Sequence, residues 1–219
     1  MTAAKIRCVV LISGRGSNLS AILEAAQAAD YPASIVGVVS NKADAAGLDL
    51  ARQAGVAVSI VPNADYADRA SYDAALQVAV DAYEPDLVIL AGFMRILTPE
   101  FVAHYDGRMI NIHPSLLPSL TGLHTHQRAL DAGLRLHGCT VHFVTATLDH
   151  GPIIAQAAVP VLDEDDARSL AARVLAVEHQ LYPRVVRWFA EKRLSIHGQR
   201  VRLTGAAGSD AAVIAPDLE

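Results

Sequence analysis

Ile6-Arg7-Cys8-Val9-Val10-Leu11-Ile12-Ser13-Gly14-Arg15-Gly16-Ser17-Asn18 is the stretch from which the fold is read. Its first seven residues form an apolar, β-branched run that suits a strand covered on both faces, ending at Ser13-Gly14. Beyond the loop, Leu19, Ile22, Leu23 and Ala26 recur at helical spacing up to Ala29, and Ser34 to Ser40 reads as a second buried strand. Strand, glycine loop, helix, strand is the opening unit of a parallel α/β sheet. The alternation continues with a helix from Leu48 to Ala54 stopped by Gly55, a strand from Val56 to Val61, a helix from Arg69 to Tyr83 and a strand from Leu87 to Leu90. A helix from Pro99 to Tyr105, a strand from Met109 to Ile112 and a helix from Thr125 to Ala132 follow. His137 to Val144 and Ile153 to Val161 have little between them, which predicts an antiparallel pairing. The last helix, Asp166 to Glu191, carries Leu170, Val174, Val177, Leu181, Val185 and Trp188 on one side, with Pro183 as a candidate kink. The fold class is α/β: a Rossmann-like, mostly parallel twisted sheet with helices on both faces and antiparallel strands in the C-terminal part.

With 219 residues, 52% of them hydrophobic, the chain can bury one sizeable core, so a single domain over 1–204 is expected. The stretch 205–219 has no sustained periodicity and is read as an irregular tail. A net charge of −5 offers no broad basic surface, which argues against nucleic acid as a partner. Met1 to Lys5 lacks an apolar leader and the apolar runs are short, predicting a cytoplasmic protein without a membrane span. Cys8 and Cys139 lie within strand-like runs and read as buried thiols, with no disulfide and no zinc.

Ligands of open parallel sheets sit at the carboxyl ends of the strands, and chemistry is sought there. Ser13-Gly14-Arg15-Gly16-Ser17-Asn18 occupies such a position and opens a helix, whose unpaired N–H groups and dipole favour an anion. Gly14 and Gly16 allow close backbone approach, and Ser17 and Asn18 add donors, although either side chain would also serve as an ordinary helix cap. A dinucleotide fingerprint is incomplete: its third glycine is missing, and the second strand ends in Ser40-Asn41-Lys42 instead of an acid. Lys42 leaves a 2′-phosphate open on this loop alone.

Farther on, Asn111-Ile112-His113-Pro114 ends a strand, and the period of two points Asn111 and His113 to one side. Leu148-Asp149-His150-Gly151-Pro152 adds a carboxylate in a tight turn. Singly, each residue fits a structural role: a loop-satisfying amide, a bonded core histidine, a turn aspartate. Asn111 and His113 converge as a pair of polar groups at one strand end, which a structural role explains less well, whereas Asp149 by itself reads as an ordinary turn residue.

These motifs, with Ala91-Gly92-Phe93-Met94-Arg95-Ile96-Leu97, Gly122-Leu123-His124 and Val177-Glu178-His179, resemble the glycinamide ribonucleotide transformylases, in order from Ile6 to Leu203. The Asn-x-His with a later Asp-x-Gly-Pro is specific to folate-dependent formyltransferases and hydrolases. The resemblance implies a formyltransferase fold and transfer of the formyl group of 10-formyltetrahydrofolate to the amine of glycinamide ribonucleotide, in purine biosynthesis, without a metal. It implies that Asn111, His113 and Asp149 are catalytic and that Gly16, Ser17, Asn18 and Glu178 hold the ribonucleotide. It places the folate against Met94, Arg95, Ile96 and Leu97, with Asn111, Arg69 and the 144–149 loop also in contact. Both partners are then small molecules, and the protein is a monomer or a homodimer. Thr121 stands where relatives often have proline, which predicts a looser loop, and Leu175 replaces an expected polar contact.

The rival readings are a formyltetrahydrofolate hydrolase, a methionyl-tRNA formyltransferase and a non-catalytic nucleotide-binding module. The hydrolase usually carries an N-terminal regulatory domain, for which a first strand at Ile6 leaves no room. The tRNA enzyme needs a basic C-terminal domain, and the acidic end here does not supply one. A silent module has no use for the polar constellation. A metal site built from His124, His126, His137 and His142 lacks thiolates or carboxylates at a recognisable spacing.

Overall fold

β1 (Ile6–Ile12) buries every side chain from Cys8 onward, as an unbroken apolar run requires. The computed structural model describes residues 4–206 and 213–216. From β1 the chain passes through α1 (Ser17–Ala26) to β2 (Ala33–Ser40), and through α2 (Gly47–Gln53) to β3 (Val58–Ile60). It then returns through α3 (Arg69–Asp81) to β4 (Leu87–Leu90), and α4 (Pro99–His104) leads to β5 (Met109–His113). These five strands pair in parallel. After α5 (Thr125–Asp131), β6 (Leu136–Phe143) runs antiparallel to β5, and β7 (Ile153–Pro160) antiparallel to β6. α6 (Ala167–Ala190) and a hairpin of β8 (Leu194–His197) and β9 (Arg200–Leu203) close the sheet, in the order β3-β2-β1-β4-β5-β6-β7-β9-β8.

Period-two alternation divides the core. Cys8, Val10 and Ile12 pack with Leu19, Ile22, Val174 and Val185 under α1 and α6. Val9 and Leu11 pack with Tyr72, Leu76 and Phe101 under α3 and α4 on the other face. α6 runs through Pro183 without interruption, so the expected kink does not end it. It is fastened by Tyr182, whose hydroxyl donates to Leu90 O (2.9 Å) and Ile110 O (3.2 Å), and by Tyr31, which donates to Pro183 O (2.7 Å).

Two expectations are corrected. α1 begins at Ser17, and neither Ser17 nor Asn18 caps it: Gly16 is the N-cap, in the left-handed region, with no side-chain cap bond. The β8–β9 hairpin falls where no element was expected, because its four-residue, largely exposed strands at the end of the sheet carry little hydrophobic signal. Of the tail read as irregular, 207–212 and 217–219 lie outside the described residues. Among the described residues no helix is long and apolar enough to cross a membrane.

The topology fixes where a ligand belongs. The chain leaves β1 toward β2 and returns on its other side as β4, so the loops after β1 and β4 diverge and open a crevice between them.

Candidate active site

The first wall of that crevice is the turn after β1. Gly16 has φ +75°, and a Cβ there would stand 2.7 Å from Gly47 Cα, so only glycine fits. Gly47 N donates to Gly14 O (3.0 Å), which holds the turn open against α2. With no side chain capping α1, its first-turn N–H groups remain available to an anion. Asn18 is turned elsewhere: its Nδ2 donates to Glu178 Oε2 at 2.7 Å, while its Oδ1 is buried without a partner. Glu178 lies on the buried stripe of α6 with Leu170, Val174 and Tyr182, spaced by four, and burial raises its pKa despite the Asn18 bond. A carboxylate in an apolar stripe could have been flagged from helical spacing alone, whereas the sequence reading reached Glu178 only through resemblance.

The second wall is the loop after β4. Ser13 N donates to Gly92 O (3.1 Å), and Ser13 Oγ, which donates to Asn41 Oδ1 (2.6 Å), accepts from Met94 N (2.8 Å). Asn41 is thereby buried and held between Ser13 and Asn63. Asp73 accepts from Thr98 N (2.6 Å) and fixes the far end of the loop where α4 begins. Met94 and Ile96 point outward, 63% and 52% exposed. Leu97, expected to line the folate site, is buried and packs in the cluster that holds Phe93 and Phe101. Arg95 lays its guanidinium on the Tyr72 ring, 4.5 Å from the centroid, and Arg69 is exposed at the first position of α3, one turn before Tyr72. Leu123 and Leu148 are also exposed, so four of the ten exposed large apolar side chains among the described residues sit on loops around this crevice.

At the end of β5, Asn111 and His113 share a strand side as alternation requires, and Asp149 is brought to them by the turn after β6. His113 and Asp149 are nearly buried, with His113 Nδ1 3.6 Å from Asp149 Oδ1. The loop expected to be loosened by Thr121 is tied to both: His113 Nε2 donates to Leu120 O (3.0 Å), and Asp149 Oδ2 accepts from Gly122 N (2.8 Å). Arg128 adds a bond to Thr121 O (2.6 Å). Leu120, His124 and Asp149 all have positive φ without being glycine, three of only five such residues described, and backbone strain of this kind concentrates at functional sites.

Of the histidines weighed as metal ligands only His126 and His137 meet, while His142 bonds Asn111 and Phe143 O, and among the described residues no group of three or more His, Cys, Asp or Glu is placed to hold a metal. His126 Nδ1 and His137 Nε2 are 3.2 Å apart. Burial, and then the neighbouring imidazoles His126 and His113, push His137 down to about 4. The unfolded chain therefore takes up a proton below pH 6.5 that the folded protein refuses until about pH 4, so stability falls as pH drops through that window. The loss is on the order of 3 kcal/mol. Urea unfolding across this range should show a flatter curve for His137→Gln than for the parent, and parallel curves would count against this coupling.

Comparison with known proteins agrees with the geometry. Residues 6–186 match the formyl transferase family. The chain is 52% identical over 197 residues to phosphoribosylglycinamide formyltransferase of Escherichia coli (strain K12), covering 90% of this chain and 93% of that protein. It superposes on glycinamide ribonucleotide transformylase 1 from Symbiobacterium toebii with TM-score 0.89 and 49% identity, over 91% of this chain and 94% of that one. A formyltetrahydrofolate deformylase from Burkholderia mallei ATCC 23344 is more distant, at 33% identity and TM-score 0.83, over 92% of this chain and 71% of that one. The chain belongs to the formyl transferase family, within its phosphoribosylglycinamide formyltransferases.

Proposed function

We propose that this protein, as a single domain over 1–204, transfers the formyl group of 10-formyltetrahydrofolate to the amine of glycinamide ribonucleotide. The observation that carries the reading is the convergence of His113 Nδ1 on Asp149 Oδ1 at 3.6 Å, two residues after Asn111 on one strand, at the mouth of the crevice that the uncapped turn of α1 also lines. The 52% identity to the Escherichia coli transformylase against 33% to the deformylase, and the buried Asn18–Glu178 pair suited to a ribose beside a phosphate, favour transfer over hydrolysis.

In this reading the phosphate sits on the N–H groups of Gly16, Ser17 and Asn18, and Glu178 takes a ribose hydroxyl. The pterin lies between the 94–97 loop and the 144–149 loop, with Met94, Ile96 and Leu148 as apolar contacts and Arg69 toward the acidic end of the folate. The substrate amine attacks the formyl carbon, forming a C–N bond and a tetrahedral oxyanion, which accepts a hydrogen bond from Asn111 Nδ2. Leu120 O can only accept, so the proton on His113 Nε2 is committed there, and the nitrogen that gains and gives a proton is Nδ1, facing Asp149. Asp149 takes the proton lost by the amine and hands it to His113 Nδ1, which passes it to N10 as the C–N10 bond breaks to release tetrahydrofolate. Holding both substrates in one crevice supplies much of the remaining acceleration.

The test follows deformylation of the folate by purified protein with and without glycinamide ribonucleotide. Turnover that requires the ribonucleotide and yields its N-formyl derivative is expected, and formate release without it would make the protein a hydrolase. The division of the crevice has its own consequence: Asn18→Ala keeps the backbone N–H but removes the amide that holds Glu178, and should raise KM for the ribonucleotide about 10-fold or more, at the ~1.5–3 kcal/mol typical of a hydrogen bond to a charged group, while leaving KM for the folate within about 2-fold. An equal rise for both substrates would contradict it.

A further inference from the structure

We infer that His142 is a positioning residue that holds the Asn111 amide with its nitrogen, and not its oxygen, in the donor position. The inference rests on reading Asn111 as the oxyanion donor. The two residues face each other directly across the antiparallel β5–β6 pair, and the β6–β7 register shifts between Val141 and His142. Such a bulge re-aims the side chain that follows it. His142 is 2% exposed, so both ring nitrogens must be satisfied from within the protein. One partner is a backbone carbonyl, Phe143 O, 2.8 Å from Nδ1; a carbonyl only accepts, which places the hydrogen on Nδ1. Burial lowers the pKa of the ring and favours its neutral form, although the bond to Phe143 O and the Asp149 carboxylate oppose that shift. Nε2 is then a lone pair, and Asn111 Nδ2 stands 3.2 Å from it.

A flipped Asn111 would set its carbonyl oxygen against that lone pair, so only one amide orientation is stable. The terminal torsion of an unsupported asparagine is broad and roughly two-fold, so without a partner the amide spreads over settings that aim no N–H at a developing negative charge or present an oxygen to it. With one N–H held by His142, the second N–H of the same nitrogen remains for the reacting oxygen. The seat of the histidine is shared with the carboxylate turn. A Cβ on Gly151 would collide with Phe143 O and come within 3.3 Å of His142 Nδ1, and Phe143 N donates to Pro152 O (3.0 Å). The peptide that fixes the His142 tautomer is therefore the one on which the Asp149-His150-Gly151-Pro152 turn rests.

Two measurements test this. Long-range 1H–15N correlation on the wild-type protein should show His142 as the neutral Nδ1–H tautomer at pH 7; an Nε2–H or doubly protonated ring would overturn the positioning and leave the role of Asn111 standing. In a double-mutant cycle, Asn111→Ala should lower kcat about 10²- to 10³-fold, as loss of an oxyanion donor does. His142→Phe should lower kcat about 10- to 100-fold, the range seen when a group orienting another ligand is removed, with both KM values within about 2-fold. Added to Asn111→Ala, His142→Phe should change kcat by less than about 2-fold, because its effect passes through the amide. A full additional loss in that background, or unchanged kcat in the single variant, would overturn the inference. Near-normal turnover of Asn111→Ala with the Nδ1–H tautomer present would instead overturn the oxyanion reading itself.

Discussion

Asp149→Asn lowers kcat about 10²- to 10⁴-fold and leaves the fold in place, because the substitution removes a charge and a proton acceptor but almost no shape. An asparagine oxygen can still accept from Gly122 N, as Asp149 Oδ2 does at 2.8 Å, so the loop stays fastened. Asp149 has φ +53°, a backbone region that asparagine tolerates well, so no new strain arises. The loss then reports the missing carboxylate beside His113 Nδ1. Steady-state kinetics read it, with thermal unfolding as the control for folding. Near-normal turnover in a well-folded Asp149→Asn protein would remove the carboxylate from the chemistry.

His113→Ala is expected to cost a similar factor, with an added complication that a second variant resolves. The ring both faces Asp149 and donates to Leu120 O, so alanine removes a proton carrier and a loop fastening together. His113→Gln can keep a donor for Leu120 O through its amide while having no titratable proton. If proton transfer is the role, glutamine is as inactive as alanine. Recovery to within about 10-fold of wild type by glutamine would assign the histidine to holding the loop, and Asp149 alone would have to take the proton from the amine and return one to N10.

Much of the scaffold was legible because burial leaves periodic traces. β1 and β4 read as unbroken apolar runs because both of their faces are covered, and α6 as a three-to-four stripe because only one of its sides is. The same logic failed for β8 and β9, short strands that bury little and leave no trace. Within the site, alternation along β5 placed Asn111 and His113 on one side. The proximity of Asp149 came only by resemblance, since it depends on the antiparallel return of β6. Long-range hydrogen bonds were the least visible feature. Nothing local distinguishes Asn18 as a helix cap from Asn18 as a partner of Glu178, and the bonds from Leu120 and Gly122 to His113 and Asp149 link main chain to side chains across the loop. His142 was weighed only as a metal ligand, because its pairing with Asn111 depends on strand register, which has no local sequence signature.

The account depends most on a single reacting carbon being enclosed by the amide, the imidazole and the carboxylate, next to an anion held on the turn after β1. A crystal structure with a stable adduct joining glycinamide ribonucleotide to a folate through a tetrahedral carbon tests this directly. The phosphate should lie on the N–H groups of Gly16, Ser17 and Asn18, and the oxygen on the joining carbon should lie within hydrogen-bond distance of Asn111 Nδ2, with His113 Nδ1 and Asp149 on the same side. A phosphate bound elsewhere, or a joining carbon remote from those three side chains, would contradict it.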